Sequence, residues 1–263
     1  MSRKKSGMFH VKRLWFALVS LVGFIVTPDV YASDDMDEHT HPGSNVVWRL
    51  RVCMTDFTGK DAGWFDVKVY AKEGTVMLPN GIESPYSFRA DIFSDTRLPF
   101  WLFAGKSKTR EVEYLDSQYT TVYSELEIVT PKEKIQAISW TEDSRTGKKM
   151  HVRVTNDKGK YREKTFDLHQ RTLTAANIPF LAQSAIAQIG KPIECYMVNK
   201  AKPEMRKVTF TAGTFDGRPE ALQYAGESQV DLVKILVDLH VIGGTAVFYI
   251  DREVNLYYGE GVG

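Results

Sequence analysis

Residues 46–55 read VVWRLRVCMT, and large apolar side chains alternate there with the remaining ones. On an extended chain the two sets fall on opposite faces: Trp48, Leu50, Val52 and Met54 against Arg49, Arg51, Cys53 and Thr55. Because successive side chains of a β-strand point to opposite faces, this pattern is typical of a strand with one buried face. Residues 64–70 (WFDVKVY) and 86–92 repeat it. The alternation predicts a mainly β protein.

Turn signals separate the strand patterns along the rest of the chain. Asn80-Gly81, the segment 156–159 (NDKG) and Gly243-Gly244 are typical of tight hairpin turns, since their residues tolerate positive φ. Further strands are predicted at residues 119–128, 133–141, 149–155, 160–168, 193–199, 205–212, 230–242, 245–250 and 254–259. Short connections between strands favour a curved antiparallel sheet, as a half-barrel or a sandwich.

One stretch, residues 177–190 (NIPFLAQSAIAQIG), has a helical pattern instead. Asn177 is placed as an N-cap, with Pro179 in the first turn and Gly190 after the end. The apolar residues at helical spacing are Ile178, Leu181, Ala185 and Ile189. We expect one amphipathic helix that packs on the sheet.

The first 32 residues have the three parts of a secretory signal. Five basic residues precede an uncharged apolar stretch at residues 14–26, and the small-residue site Val30-Tyr31-Ala32 follows. A relaxed membrane span needs about 20 apolar residues, more than this stretch supplies. We expect cleavage after Ala32, a periplasmic product and no stable membrane span after processing. The competing interpretation is an uncleaved anchor.

Removal of residues 1–32 changes the charge balance. The whole chain has 34 basic and 33 acidic side chains, and the signal contains five of the basic ones and one acid. The mature chain therefore has 29 basic and 32 acidic residues and a net charge of −3. Such a chain has no long-range attraction to phosphate backbones, so no nucleic-acid partner is expected. We divide it into a flexible acidic lead-in (residues 33–45) and a single β-rich domain (residues 46–263).

The two cysteines, Cys53 and Cys195, are an even pair in a chain predicted to be exported. In an oxidising compartment such a pair favours a disulfide. The alternative is two buried thiols that act as small apolar groups.

A repeated tripeptide supplies the only candidate metal ligands in ordered segments. Asp167-Leu168-His169 and Asp238-Leu239-His240 each place an Asp and a His two residues apart, on one face of a strand. If the two strands were neighbours, four ligands could converge on a metal. The alternative is that these side chains lie on solvated strand faces. No cofactor is predicted, and the chain lacks the usual motifs of nucleophilic catalysis.

An apolar run at residues 98–103 (LPFWLF) offers a candidate ligand surface. It is typical of a fully buried strand, or it forms the lip of a ligand cavity. In the second case the helix would cover the mouth of a curved sheet, and an acyl chain or apolar peptide would bind there. The ligand-binding candidates are Phe100, Trp101, Phe103, Ile178 and Leu181.

The closing hairpin, residues 244–251 (GTAVFYID) followed by residues 252–256 (REVNL), resembles that of uncharacterised exported bacterial antiparallel-β domains. These domains are in turn distantly similar to periplasmic lipoprotein carriers. The resemblance implies a binding or envelope-maintenance role and transfers no functional residue.

We therefore expect an exported, non-enzymatic protein that binds an apolar small molecule, a lipid or an envelope protein. One alternative is a metal-dependent periplasmic enzyme that uses the Asp-x-His pairs. The other is a small outer-membrane β-barrel. Two features count against it: the chain ends in Gly261-Val262-Gly263 instead of a terminal aromatic residue, and its strands lack a sustained lipid-facing band.

Overall fold

The computed structural model describes residues 25–27, 45–55, 61–98, 105–157, 159–168, 172–174, 177–225, 231–238, 245–252 and 256–262. These residues form fifteen strands: β1 (Ile25–Thr27), β2 (Asn45–Thr55), β3 (Asp61–Met77), β4 (Glu83–Leu98), β5 (Gly105–Leu115), β6 (Thr121–Val129), β7 (Lys134–Ser144), β8 (Gly147–Asn156), β9 (Tyr161–Asp167), β10 (Thr172–Leu173), β11 (Ile193–Asn199), β12 (Glu204–Thr214), β13 (Val233–Asp238), β14 (Thr245–Ile250) and β15 (Leu256–Val262). The described part of the chain also contains two helices, α1 (Ile178–Ile186) and α2 (Pro219–Ala225).

The strands follow the order β10-β11-β12-β13-β14-β15-β1-β2-β3-β4-β5-β6-β7-β8-β9 in one sheet. Every pairing is antiparallel except that of β10 with β11. The short strand β1 joins an eight-stranded half, β2–β9, to a six-stranded half, β10–β15. The halves do not close into a barrel. The prediction of a mainly β fold with an antiparallel sheet is confirmed.

Strand β1 lies within the segment predicted to be a signal peptide. Val26 pairs with Met54 of β2 on one side and with Gly259 of β15 on the other. Cleavage after Ala32 would remove this strand, so the link that it makes belongs to the unprocessed chain.

The alternation at residues 64–70 and 86–92 builds the core of the eight-stranded half. Val67 and Val69 of β3 pair with Ile92 and Ala90 of β4, and all four are buried. The predicted turn at Asn80-Gly81 also forms, since Gly81 adopts a φ of 83° and donates its N–H to the carbonyl of Leu78. Strand pairing and turn chemistry agree here with the sequence.

The tip of the long β3–β4 hairpin folds back over the sheet. Leu78 packs in a buried cluster with Val122 of β6 and Trp140 of β7. The side-chain amide of Asn80 donates to a carboxylate oxygen of Glu142 at 2.7 Å. A register shift in β3 between residues 71 and 74 accompanies this bend, as expected of a bulge.

Helix α1 covers one face of the six-stranded half. Leu181, Ala182 and Ala185 pack with residues of β11–β14, among them Ile193 and Val208. The helix ends at Ile186, earlier than the apolar pattern predicts, and Ile189 remains 48% exposed. The expected place of Ile189 on the buried face is therefore wrong.

The predicted N-cap position of Asn177 is confirmed, with Pro179 in the first turn of the helix. The side chain of Asn177 makes no helix-capping hydrogen bond. Its amide group instead donates to the carbonyl of Thr172 at 2.7 Å, and its oxygen accepts from the N–H of Thr174 at 3.0 Å. Asn177 thus links the start of α1 to Thr172 and Thr174.

The expectation of a single helix is corrected by α2. Ala221 of this helix is fully buried against Leu232, Val247 and Tyr249, on the face of β14 opposite to α1. Its seven residues contain too few apolar positions for a helical period to stand out. In the described part of the chain, neither helix is long and apolar enough to cross a membrane.

Candidate functional site

The predicted ligand-binding residues are not gathered at one described surface. Phe100, Trp101 and Phe103 lie outside the described residues. Leu181 is buried in the core between α1 and the six-stranded half, and Ile178 is half-buried at the start of the same helix. These two side chains belong to the packing of α1.

The two aspartates of the Asp-x-His pairs lie on strands that are not neighbours. Asp167 ends β9, the last strand at one end of the sheet. Its side chain is exposed, and its Oδ1 lies 3.8 Å from the Nζ of Lys149. Asp238 ends β13, the fourth strand from the other end. His169 and His240 lie outside the described residues. Within the residues that the structure describes, no three His, Cys, Asp or Glu side chains are grouped to hold a metal.

The predicted disulfide remains a prediction. Cys195 is fully buried in β11, whereas the side chain of Cys53 in β2 lies outside the described residues. Their strands occupy the second and eighth positions of the sheet order.

A different surface, the inner face of β4–β9, brings polar and apolar groups together. We define it by the register row Ala90, Glu113, Ser124, Ser139 and Val152, whose members pair across five adjacent strands and are all buried. The hydroxyl groups of Ser124 and Ser139 are hydrogen-bonded at 2.8 Å. This row is polar in its middle, which is unusual for a buried strip of sheet.

Apolar side chains flank that row on the inner face. One cluster contains Leu126, Ile128 and Ala137, and the other contains Met150, Val152 and Phe166. The turn between β11 and β12, with the strand ends beside it, lies over both clusters. Ala201 packs on the first, and Val198 and Met205 pack on the second. We call residues 198–205 the covering turn.

The covering turn also brings a charge into the sheet. The Nζ of Lys200 lies 2.5 Å from Oε1 of Glu111 and also contacts Oε1 of Glu113. The exposed fractions of the three side chains are only 10%, 15% and 4% respectively. Among the described residues, the second oxygen of Glu113 has no hydrogen-bond partner. Two buried carboxylates therefore share one ammonium group.

Burial controls the protonation of this group. Burial raises the pKa of Glu111, Lys200 lowers it, and the neighbouring Glu113 raises it. The result is a pKa of about 7 in place of 4.5. Burial by itself would lower the pKa of Lys200, but the two carboxylates outweigh it and hold that pKa above its ordinary value. Lys200 therefore stays charged, while Glu111 is protonated below neutral pH.

The opposite face of the same strands carries a groove of about 400 Å³ with a mixed polar and apolar lining. Its floor includes Val112 and Ile138, and its walls include Arg110, Glu125 and Arg153. The guanidinium of Arg153 is itself engaged, 2.9 Å from Glu163 and over the Trp140 ring at 5.3 Å. The charge of Arg153 is therefore already paired within the protein.

Sequence reasoning missed the carboxylates because it missed β5. The inner positions of this strand are Ser107, Thr109, Glu111, Glu113 and Leu115, so the expected apolar period is absent until its last residue. The available signal was the spacing Glu111-Val112-Glu113, which places both carboxylates on one face if the segment is a strand.

No family model matches the chain, and no curated protein matches it. Among solved structures, it is similar to a β-barrel-like protein of the domain of unknown function DUF1849 from Brucella abortus. The two have 12% sequence identity and a TM-score of 0.43, over 92% of this chain and 94% of that one.

Proposed function

We propose that the mature chain, residues 33–263, is an exported, periplasmic, non-enzymatic protein that binds an apolar ligand such as a lipid chain. The observation that carries this proposal is the inner face of β4–β9, where the described residues 198–205 pack on both apolar clusters as a short turn. Side chains that a turn covers become available to a ligand when that turn moves.

The proposal makes Leu126, Ile128, Met150, Val152 and Phe166 the walls of the site. Apolar walls with a few polar groups are typical of sites for small molecules. The serine and glutamate row, which lies between the two clusters, supplies the polar groups.

The first test uses the processed protein, purified without detergent from cells that express the full chain. Intact-mass measurement is expected to give a chain that begins at Ser33, and native mass spectrometry is expected to reveal a bound lipid. Titration with the neutral apolar probe N-phenyl-1-naphthylamine then measures binding directly. A protein that carries no lipid and does not bind the probe would disprove the proposal.

A matched pair of variants locates the site. Val154 is half-buried and packs on both inner clusters, whereas its neighbour Thr155 lines the groove on the opposite face. Val154→Asp is expected to weaken probe binding by about tenfold, because it places a carboxylate beside the apolar chain. Thr155→Asp, with the same charge change, is expected to leave binding within about twofold. The reverse result would move the site to the groove on the opposite face.

A further inference from the structure

The covering turn presents the same two kinds of chemical group as an alkylammonium ligand, namely aliphatic carbon and a primary ammonium. It presents the aliphatic groups of Val198, Ala201 and Met205 to the apolar clusters of the inner face. Beside them it presents the primary ammonium of Lys200 to two carboxylates. Aliphatic side chains and a primary ammonium of the same turn thus lie side by side on the inner face.

The carboxylate pair is more than Lys200 alone requires. A lysine needs one carboxylate for charge balance, and here it meets two, whose side chains are 15% and 4% exposed. The second oxygen of Glu113, a side chain that is 4% exposed, is left without a hydrogen-bond partner in the described part of the protein. A buried polar atom in this condition is rare in folded proteins and calls for a physical explanation. An ammonium group placed beside that oxygen would donate to it, because every ammonium has three N–H donors.

We infer that the inner face of β4–β9 binds an aliphatic chain that carries a primary ammonium group, and that the covering turn occupies this site in place of the ligand. The apolar part of this inference rests on the proposed function, and the head group is the addition. Glu111 and Glu113 bind the ammonium, and the clusters around Leu126 and Val152 bind the chain.

Charge accounts for the expected preference. An incoming ammonium replaces Lys200 without leaving buried carboxylates unpaired, so the exchange conserves the ion pairs. A neutral head group leaves them uncompensated, and a carboxylate head group adds a like charge. The site should therefore prefer an alkylammonium over the alcohol of equal length, and the alcohol over the carboxylate.

The experiment is displacement of N-phenyl-1-naphthylamine from the processed chain by decylammonium, decanol and decanoate. In the wild type, decylammonium is expected to bind about tenfold more tightly than decanol. Lys200→Met removes the internal competitor and is expected to strengthen decylammonium binding by about a further tenfold. The control is Lys202→Met in the same turn, whose ammonium lies 3.2 Å from Glu204 and contacts neither buried carboxylate in the described structure.

Amide hydrogen exchange supplies a readout that does not depend on whether Lys200→Met folds. Decylammonium added to the wild type is expected to speed exchange in residues 193–214, because the covering turn leaves the sheet, while decanoate does not. Equal displacement by the three compounds together with unchanged exchange would overturn the inference and leave apolar binding intact. Failure of the probe itself to bind would instead disprove the proposed function.

Discussion

The stability of this protein should decrease as the pH rises from 4.5 to 7, because Glu111 is buried. In the unfolded chain its carboxyl ionises around pH 4.5, whereas in the folded chain burial holds the proton up to about pH 7. Between these values the folded state binds more protons than the unfolded state, so the free energy of unfolding falls with increasing pH. Below pH 4.5 the contribution is fully present, and above pH 7 it is lost.

The size of the effect follows from the two pKa values. Each unit of difference is worth about 1.4 kcal/mol, so a pKa of about 7 in place of 4.5 corresponds to about 3 kcal/mol. This is a large part of the total stability of an ordinary domain.

The assay is urea unfolding of the wild type and Glu111→Gln at pH values from 4.5 to 8. Glutamine cannot ionise. The free energy of unfolding of the variant should therefore rise by about 3 kcal/mol relative to that of the wild type across this pH range, and contributions from histidines cancel in the difference. Glu133→Gln, which removes an exposed carboxyl from the β6–β7 turn, is the control and should follow the wild type. Parallel pH profiles for wild type and Glu111→Gln would refute the reasoning.

Three further predictions concern packing, backbone and thiols. Leu115→Ala truncates a fully buried side chain and is expected to lower the free energy of unfolding by about 3 kcal/mol, as measured by urea unfolding. Gly63→Ala should destabilise by more than about 3 kcal/mol, because its φ is 124° and a Cβ would lie 2.1 Å from a main-chain oxygen of the facing strand. Gly81→Ala, with a φ of 83° and open space, should cost only about 1 kcal/mol, and equal losses would contradict the steric argument. If Cys53 and Cys195 are bridged in the exported protein, both will resist alkylation in denaturant until a reductant is added, whereas immediate labelling would exclude the disulfide.

The sequence predicted best the elements whose own residues carry the signal. Strands β11 and β14 begin and end at the predicted residues, and the turn at Asn156 forms, with Gly159 donating its N–H to the carbonyl of Asn156. In these segments side-chain alternation and turn chemistry act over a few residues, so no distant partner is needed to recognise them.

The candidate site was less accessible to sequence analysis, for a physical reason. A buried strand is normally recognised in a sequence by its alternating apolar residues, whereas β5 has Glu111 and Glu113 on its inner face. These glutamates can be buried because both form ion pairs with Lys200, which lies 89 and 87 residues further along the chain. This ion pairing cannot be recognised from a single sequence, since neither the glutamates nor the lysine are unusual in their own segments.

The amino-acid sequence by itself determined that this chain forms antiparallel strands joined by tight turns, because alternation and positive-φ turn residues are local properties of the backbone. Only the tertiary structure decided which strands became neighbours, what covers the inner face and which charges are buried there. Those outcomes depend on pairing and packing between segments far apart in the chain, and Lys200 between its two glutamates is the clearest case.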